Sequence, residues 1–286
     1  MNDILCSTGS LIGRPNGRDF RLLEYFCPRL NCDGFEFIFY NSWYDRIDEI
    51  RTFLKRLKLN IPVMHCEKTI GELWAEGGEE NWNEAKRRLT VNCELARDIG
   101  SRKLVIHLWN GVISDTRFEN NLAAYPLIRE TAERCGLDPL IENVICRTDP
   151  MSRWTELKQH YPDIHFVFDT KMADFHRQVD CLYRSENDWL WKENHLRHFH
   201  VNDYGGGYMD FSNLKVLPIG KGHIDFDRFF AFIRKIGYHD TFTFESTGFN
   251  QEGQVDLDML NEQYETARRY LASNTPDNTA YEEEAP

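Results

Sequence analysis

The sequence predicts an α/β fold, a single-domain (β/α)8 TIM barrel over residues 1–272. Three observations carry this expectation. Short runs rich in Ile, Val and Phe alternate with helical periodicity along the whole chain. The runs recur about every 34 residues, which suits a strand-plus-helix unit. Several have apolar residues at successive positions, as strands covered by helices do. No sequence repeat accompanies the period, which argues against a solenoid. An open doubly wound sheet is the second choice, but no Gly-x-Gly-x-x-Gly follows the first strand.

The strands expected in order are 4–8, 34–40, 62–66, 103–108, 140–144, 165–169, 198–201 and 241–245. Helical faces lie between them. Ile47, Ile50, Leu54 and Leu57 recur at helical spacing, as do Trp82, Ala85, Leu89, Cys93 and Ala96, with Gly100 as a stop. Asp149-Pro150 opens a helix, with Asp as N-cap and Pro in the first turn. Phe226, Phe229, Phe230, Ile233 and Ile236 make an apolar face that Asp225 caps and Gly237 closes. The last helix is expected over 256–271. Residues 273–286 end in Glu282-Glu283-Glu284 and read as a disordered acidic tail.

Composition narrows the function classes. The chain has 286 residues, 41% hydrophobic and 28% charged, so it is neither a disordered chain nor a fibre. Its net charge of −12 argues against nucleic acid or an anionic membrane as partner and suits a divalent cation or a small polar substrate. No apolar window approaches the roughly 18 residues of a membrane span, and the N-terminus lacks a basic segment followed by an apolar run. A cytoplasmic location is expected. The eight cysteines form no Cys-x-x-Cys pair and read as free thiols. The oligomeric state stays open, a homo-oligomer included.

A barrel enzyme places its chemistry at the C-terminal ends of its strands. Here those ends carry His65, His107, Glu142, Asp169, His200 with Asp203, and Glu245. Each follows an apolar run, and an unpaired buried carboxylate is costly. Glu142, Asp169 and Glu245 would converge at one mouth, where like charges need a cation. With His200 they form a ligand set for one divalent metal: Mn, Co, Mg or Zn. Trp109, two residues after His107, is the first candidate for stacking on a sugar. Lys171, beside Asp169, could hold a substrate oxygen or carboxylate or act as an acid, against the alternative of a lysine pointing outward from a helix start. Asp203 joins the substrate-binding candidates. Glu36, among Phe35, Phe37 and Ile38, either faces the barrel interior or pairs with a Lys or Arg. The Gly-rich stretch 204–208 suits a mobile cover.

The segments Leu140-Ile141-Glu142-Asn143-Val144, Val167-Phe168-Asp169-Thr170, His198-Phe199-His200-Val201-Asn202-Asp203, 219–226 and Phe242-Thr243-Phe244-Glu245 stand in an order and spacing that resembles the xylose-isomerase-like superfamily of barrels. That superfamily includes sugar-phosphate isomerases and epimerases and the type-IV apurinic endonucleases. The resemblance spans about residues 1–272 and is firmest in the second half. It implies that Glu142, Asp169, His200 and Glu245 bind one divalent metal. It also implies that Glu142 and Glu245 move a proton between adjacent carbons of a sugar, sugar phosphate or polyol through an enediolate.

Two residues depart from the epimerase pattern: Met172 stands where a His is usual, and Gly206 where an Arg is usual. In the endonuclease branch, the histidines matching His65 and His107 hold a second metal with the strand-five Glu. His65 and His107 are therefore either substrate hydrogen-bond donors or a possible second metal site. Three further activities remain: a keto-polyol dehydratase, a dinuclear phosphoester hydrolase, and a non-catalytic sugar-binding barrel.

Overall fold

The computed structural model describes residues 2–147 and 149–273, so the acidic tail expected at 273–286 lies almost wholly outside the described residues. Eight parallel strands close into a barrel in sequence order: β1 (Ile4–Ser7), β2 (Gly34–Ile38), β3 (Val63–His65), β4 (Lys103–Ile106), β5 (Asp138–Glu142), β6 (His165–Asp169), β7 (Leu196–His200) and β8 (Thr241–Phe244). Pairing of Leu5 with Thr243 and Cys6 with Phe244 joins the last strand to the first. Each strand starts within two residues of its expected position.

Side chains two apart on a strand share a face. Leu5, Val63, Val105, Leu140 and Val167 form a buried apolar cluster separate from the main core. They line the barrel interior, while the main core fills the space between strands and helices. Two residues further along the same faces stand Ser7, His65, His107, Glu142 and Asp169. The inner wall therefore changes from aliphatic to acid and imidazole within one pleat of the mouth.

The covering helices follow the apolar spacing. Ile47–Leu57 buries Ile50 and Leu54, and Glu79–Asp98 buries Ala85, Leu89, Cys93 and Ala96. Gly100, at φ +87°, ends the latter in the left-handed region where an L side chain would be strained. The Asp149 carboxylate accepts from Met151 N at 2.8 Å and starts Pro150–His160. Asp225 and Asp256 cap Phe226–Lys235 and Leu257–Ala272 in the same way. Phe118–Arg134 was not expected, because Pro126 and the buried polar residues Asn121 and Thr131 interrupt its apolar face. Asn121 donates to Gly71 O and Leu108 O, which makes its burial tolerable. All eight cysteines are free thiols. Among the described residues no helix is long and apolar enough to cross a membrane.

One irregularity positions the site. The β6–β7 register slips between Phe166 and Val167, so that Val167 pairs with His198 and Asp169 with His200. The extra residue is Arg197. Without that bulge Asp169 would stand opposite Phe199, and neither histidine would share the inner face of β7.

Candidate functional site

At the mouth, one donor atom each from Glu142, Asp169, His200 and Glu245 lies within 4.8 Å of all the others. His200 Nδ1 is their centre, at 3.2 Å from Glu142 Oε1, 3.5 Å from Glu245 Oε2 and 3.9 Å from Asp169 Oδ2. The chain thus brings together from four strands the four residues expected as metal ligands.

The opposite face of the same ring is also fixed. His200 Nε2 sits 3.1 and 3.2 Å from the two oxygens of Glu36. Glu36 is fully buried and takes His198 Nε2 at 3.0 Å as well. His198 in turn bonds Thr241 Oγ1 at 2.6 Å and Thr243 Oγ1 at 3.0 Å. Glu36 therefore faces inward and pairs with two histidines, not with a Lys or Arg, because the inner wall of β7 presents imidazoles. A Glu36 carboxylate accepting from Nε2–H leaves the Nδ1 lone pair of His200 directed at the three acids, the tautomer a metal ligand needs.

Burial works against charge throughout this cluster, and the neighbours decide each case. Burial pushes the Glu36 carboxyl up, but the charge of His200 and hydrogen bonds from His198 and His200 hold it well below the usual range. Burial likewise opposes ionisation of Glu142, and His107 and His200 outweigh it. Asp169 is pushed up to about 6 by burial, against the pull of Lys171 and with help from Glu142 and Glu245. His200 is raised well above its ordinary value: burial opposes its charge, but Glu36, Glu245 and Glu142 surround it. Burial lowers His107 and His198 to about 4, so both are neutral near pH 7. The cluster demands positive charge. Three carboxylate oxygens and one imidazole nitrogen, dry and convergent, are a donor set that fits a divalent cation.

Two asparagines absent from the sequence-level candidates hold the acids in place. Asn202 Nδ2 donates to Asp169 Oδ2 at 3.1 Å and to Glu245 Oε2 at 3.3 Å, while its Oδ1 accepts from Glu245 N at 2.9 Å. Asn143 bonds both the N–H and the C=O of Asp169. Their only sequence signal is adjacency: Asn143 follows Glu142, and Asn202 stands two residues beyond His200.

His65, His107 and Glu142 form a second group of donors within 4.8 Å. His65 Nδ1 donates to Cys66 O at 2.8 Å, which turns its Nε2 toward Glu142 Oε2 at 3.3 Å. His107 Nε2 lies 2.8 Å from the same oxygen but off the angle of a hydrogen bond, so both its buried ring nitrogens lack hydrogen-bond partners. His176, one turn beyond Met172, faces away and accepts from Cys146 N. Lys171 is 5% exposed, which removes the outward-pointing alternative.

Two expected substrate contacts are corrected. Trp109 is 1% exposed, donates its indole N–H to Val144 O and packs edge-on against Phe118 in the core, so it presents no open face to a sugar. Asp203 is fully buried, and its carboxylate accepts from the backbone N–H groups of Tyr204, Gly220, Gly222 and Ile224. It is a clasp between two loops. Gly222 is required there, since a Cβ would stand 2.1 Å from Tyr204 O. The stretch 204–208 is anchored as well, through buried Tyr204, whose hydroxyl donates to Gly207 O at 3.0 Å. Asp203→Ala leaves the four N–H groups without their acceptor and is expected to lower stability by at least about 2 kcal/mol in urea unfolding.

A cavity of about 660 Å³ opens at the other end of the barrel, beside Asp3, Asp33, Tyr238 and Leu271. None of the clustered acids or imidazoles lines it, so it is not the site.

Comparison with known proteins agrees with this architecture. The chain superposes on D-allulose 3-epimerase from Methylomonas sp. in complex with D-allulose, with a TM-score of 0.67 at 15% identity, covering 94% of this chain and 97% of that one. It superposes on 3-keto-D-glucoside 4-epimerase from E. coli with a TM-score of 0.64 at 14% identity, covering 94% and 99%. The IOLI protein with a binding zinc atom gives 0.65 at 14% identity, covering 94% and 98%. No curated protein sequence matches the chain. Residues 25–273 match the family described as xylose isomerase-like TIM barrel, and the chain belongs to that family.

Proposed function

We propose that the protein is a divalent-metal-dependent sugar isomerase or epimerase in which Glu142 and Glu245 carry the proton. One observation bears most of the weight. Two glutamates, from β5 and from just beyond β8, reach the same imidazole nitrogen from different strands, together with one aspartate. The solved epimerases that share the fold, and the zinc of the IOLI protein, support the same reading.

Glu142, Asp169, His200 and Glu245 would hold the cation, which when bound supplies Lewis acidity to substrate oxygens. Glu142 is buried and ionised and serves as a base on the inner side. Glu245, with a side chain 14% exposed, serves on the outer side. Asn202 keeps Glu245 and Asp169 at fixed separation, so that substrate meets a preset pair. His65 and His107 stand beside Glu142, where they can hydrogen-bond substrate hydroxyls. The dry inner wall below them excludes water.

The test is product formation. Protein stripped of metal is incubated with a panel of ketoses with and without added Mn²⁺, and epimers and isomers are resolved by NMR. Turnover that appears with Mn²⁺ supports the reading, and none across the panel with metal bound contradicts it. The group of His65, His107 and Glu142 favours one other reading, a dinuclear phosphoester hydrolase, which requires two metal equivalents and loss of one in His107→Ala.

Metal affinity should weaken as pH is lowered. His200 holds its proton well above the usual histidine range, and that proton must leave before Nδ1 can donate to a cation. Asp169 gains a competing proton as pH drops through about 6. Mn²⁺ titrations at pH 8 and pH 5 are expected to differ by more than about tenfold, with tighter binding at pH 8.

A further inference from the structure

The mouth contains basic side chains that the acid cluster does not use. Lys171 is 95% buried, yet its ammonium makes no hydrogen bond or ion pair among the described residues. It stands in the first turn of the short helix Thr170–Phe175, capped by Asp169, and is the strongest electrostatic pull on the Asp169 carboxyl. It makes no hydrogen bond to that carboxylate, whose Oδ1 accepts from Met172 N at 2.8 Å and Oδ2 from Asn202 Nδ2 at 3.1 Å. The stem is buried while the ammonium meets no acceptor among the described residues, which leaves its three donors available to a ligand at the mouth.

Two further cations ring the opening. Arg18 follows β1 with φ +52°, in the left-handed region, and its buried Nε has no hydrogen-bond partner. Its guanidinium lies 4.4 Å from the centre of the Tyr40 ring, and the Tyr40 phenol feels both Arg18 and Glu245. Lys68 follows β3, and its charge acts on His107. Neither Arg18 nor Lys68 makes a side-chain hydrogen bond or an ion pair among the described residues. In a chain of net charge −12, three basic residues without acid partners among the described residues stand beyond the C-terminal ends of three different strands, β1, β3 and β6.

We propose that the substrate is an acidic sugar, a keto acid whose carboxylate is held by Lys171, with Arg18 and Lys68 forming a positive rim that draws it in. This rests on the isomerase or epimerase reading for the reaction. The anion recognised could in principle be a carboxylate or a phosphate. The position of Lys171 favours the carboxylate. It sits in the first turn of the helix that Asp169 caps, and its charge acts on the Asp169 carboxyl, so an anion held by it lies near the ligand set, where a carboxyl attached to the carbonyl carbon fits and a phosphate on the far end of a sugar does not. A single buried cation also matches a monoanion better than a dianion.

The test compares matched ligands on the Mn²⁺-loaded protein by calorimetry. D-fructose and 2-keto-D-gluconate share a ketone at the second carbon and differ in the carboxylate, and D-fructose 6-phosphate places its charge at the other end. Wild type is expected to bind 2-keto-D-gluconate at least about tenfold tighter than D-fructose. Lys171→Met should bring the two within about twofold while Mn²⁺ affinity stays within about threefold. Equal binding of acid and neutral sugar by the wild type overturns the proposal with no variant needed. So does a preference that survives Lys171→Met, or a variant that weakens Mn²⁺ and both ligands alike, in which case Lys171 only balances the acids. Tightest binding of D-fructose 6-phosphate, removed by Arg18→Met or Lys68→Met but not by Lys171→Met, overturns it in favour of a phosphate at the rim. Turnover of D-fructose with equal binding defeats this inference and leaves the reaction class standing. Acid preference without turnover of any ligand does the reverse.

Discussion

Glu245→Gln is expected to slow proton exchange at the carbon beside the substrate carbonyl by about 10²–10⁴-fold while leaving the fold and most of the metal affinity in place. The substitution keeps the shape of the side chain and a carbonyl oxygen within the ligand set, but removes the group that can take a proton. Glu245 N remains bonded to Asn202 Oδ1, so the backbone position is retained. Glu142→Gln should give a loss at least as large. It also removes the negative charge beside His65 Nε2 and His107 Nε2, at 3.3 and 2.8 Å, and disturbs the inner wall. Exchange rates measured by NMR in D₂O, with melting curves and Mn²⁺ titrations on the same samples, separate the two effects. A variant that keeps metal and fold but exchanges at the wild-type rate would show that the glutamates only hold the ion.

Glu36→Gln is expected to weaken Mn²⁺ binding by about 10–100-fold, although Glu36 is not one of the four expected ligands. Its two oxygens accept from His198 Nε2 and His200 Nε2 together. A glutamine has one acceptor oxygen and turns an NH₂ group toward the second ring. His200 can then adopt the other tautomer, with Nδ1 protonated and unable to donate its lone pair. Glu36→Ala goes further: two buried imidazoles lose their acceptor, and a cost of about 3–5 kcal/mol in unfolding free energy is expected. Calorimetric Mn²⁺ titration checks the first outcome and urea unfolding the second.

Much of the architecture is readable because the inner faces of β1 and of β3 to β6 obey one rule, an aliphatic residue followed two positions later by a polar one. Val63 and His65, Val105 and His107, Leu140 and Glu142, and Val167 and Asp169 all show it. A run of apolar residues that ends on an unpaired acid is physically expensive, so the four-ligand cluster is legible before any coordinates. Register is not. The bulge at Arg197 that aligns Asp169 with His200 leaves no mark in composition or periodicity. Nor does the sequence show where a buried polar group spends its hydrogen bonds. Asp203 looks like one more strand-end acid, yet four backbone N–H groups consume it. Trp109 stands two residues after a site histidine, and its indole is turned into the core by Val144 O. Glu36 is the converse case. Its aromatic neighbours mark it as buried, but its partners come from β7, more than 160 residues away. Phe118–Arg134 escaped because its buried face includes Asn121 and Thr131.

The most direct test of the central claim is deuterium incorporation from D₂O into keto sugars, neutral and acidic, by the Mn²⁺-loaded protein. A single deuterium at the carbon adjoining the carbonyl, absent without metal and lost in both Glu142→Gln and Glu245→Gln, is the predicted result. A protein that binds Mn²⁺ at these residues and exchanges no proton in any sugar tested would contradict it.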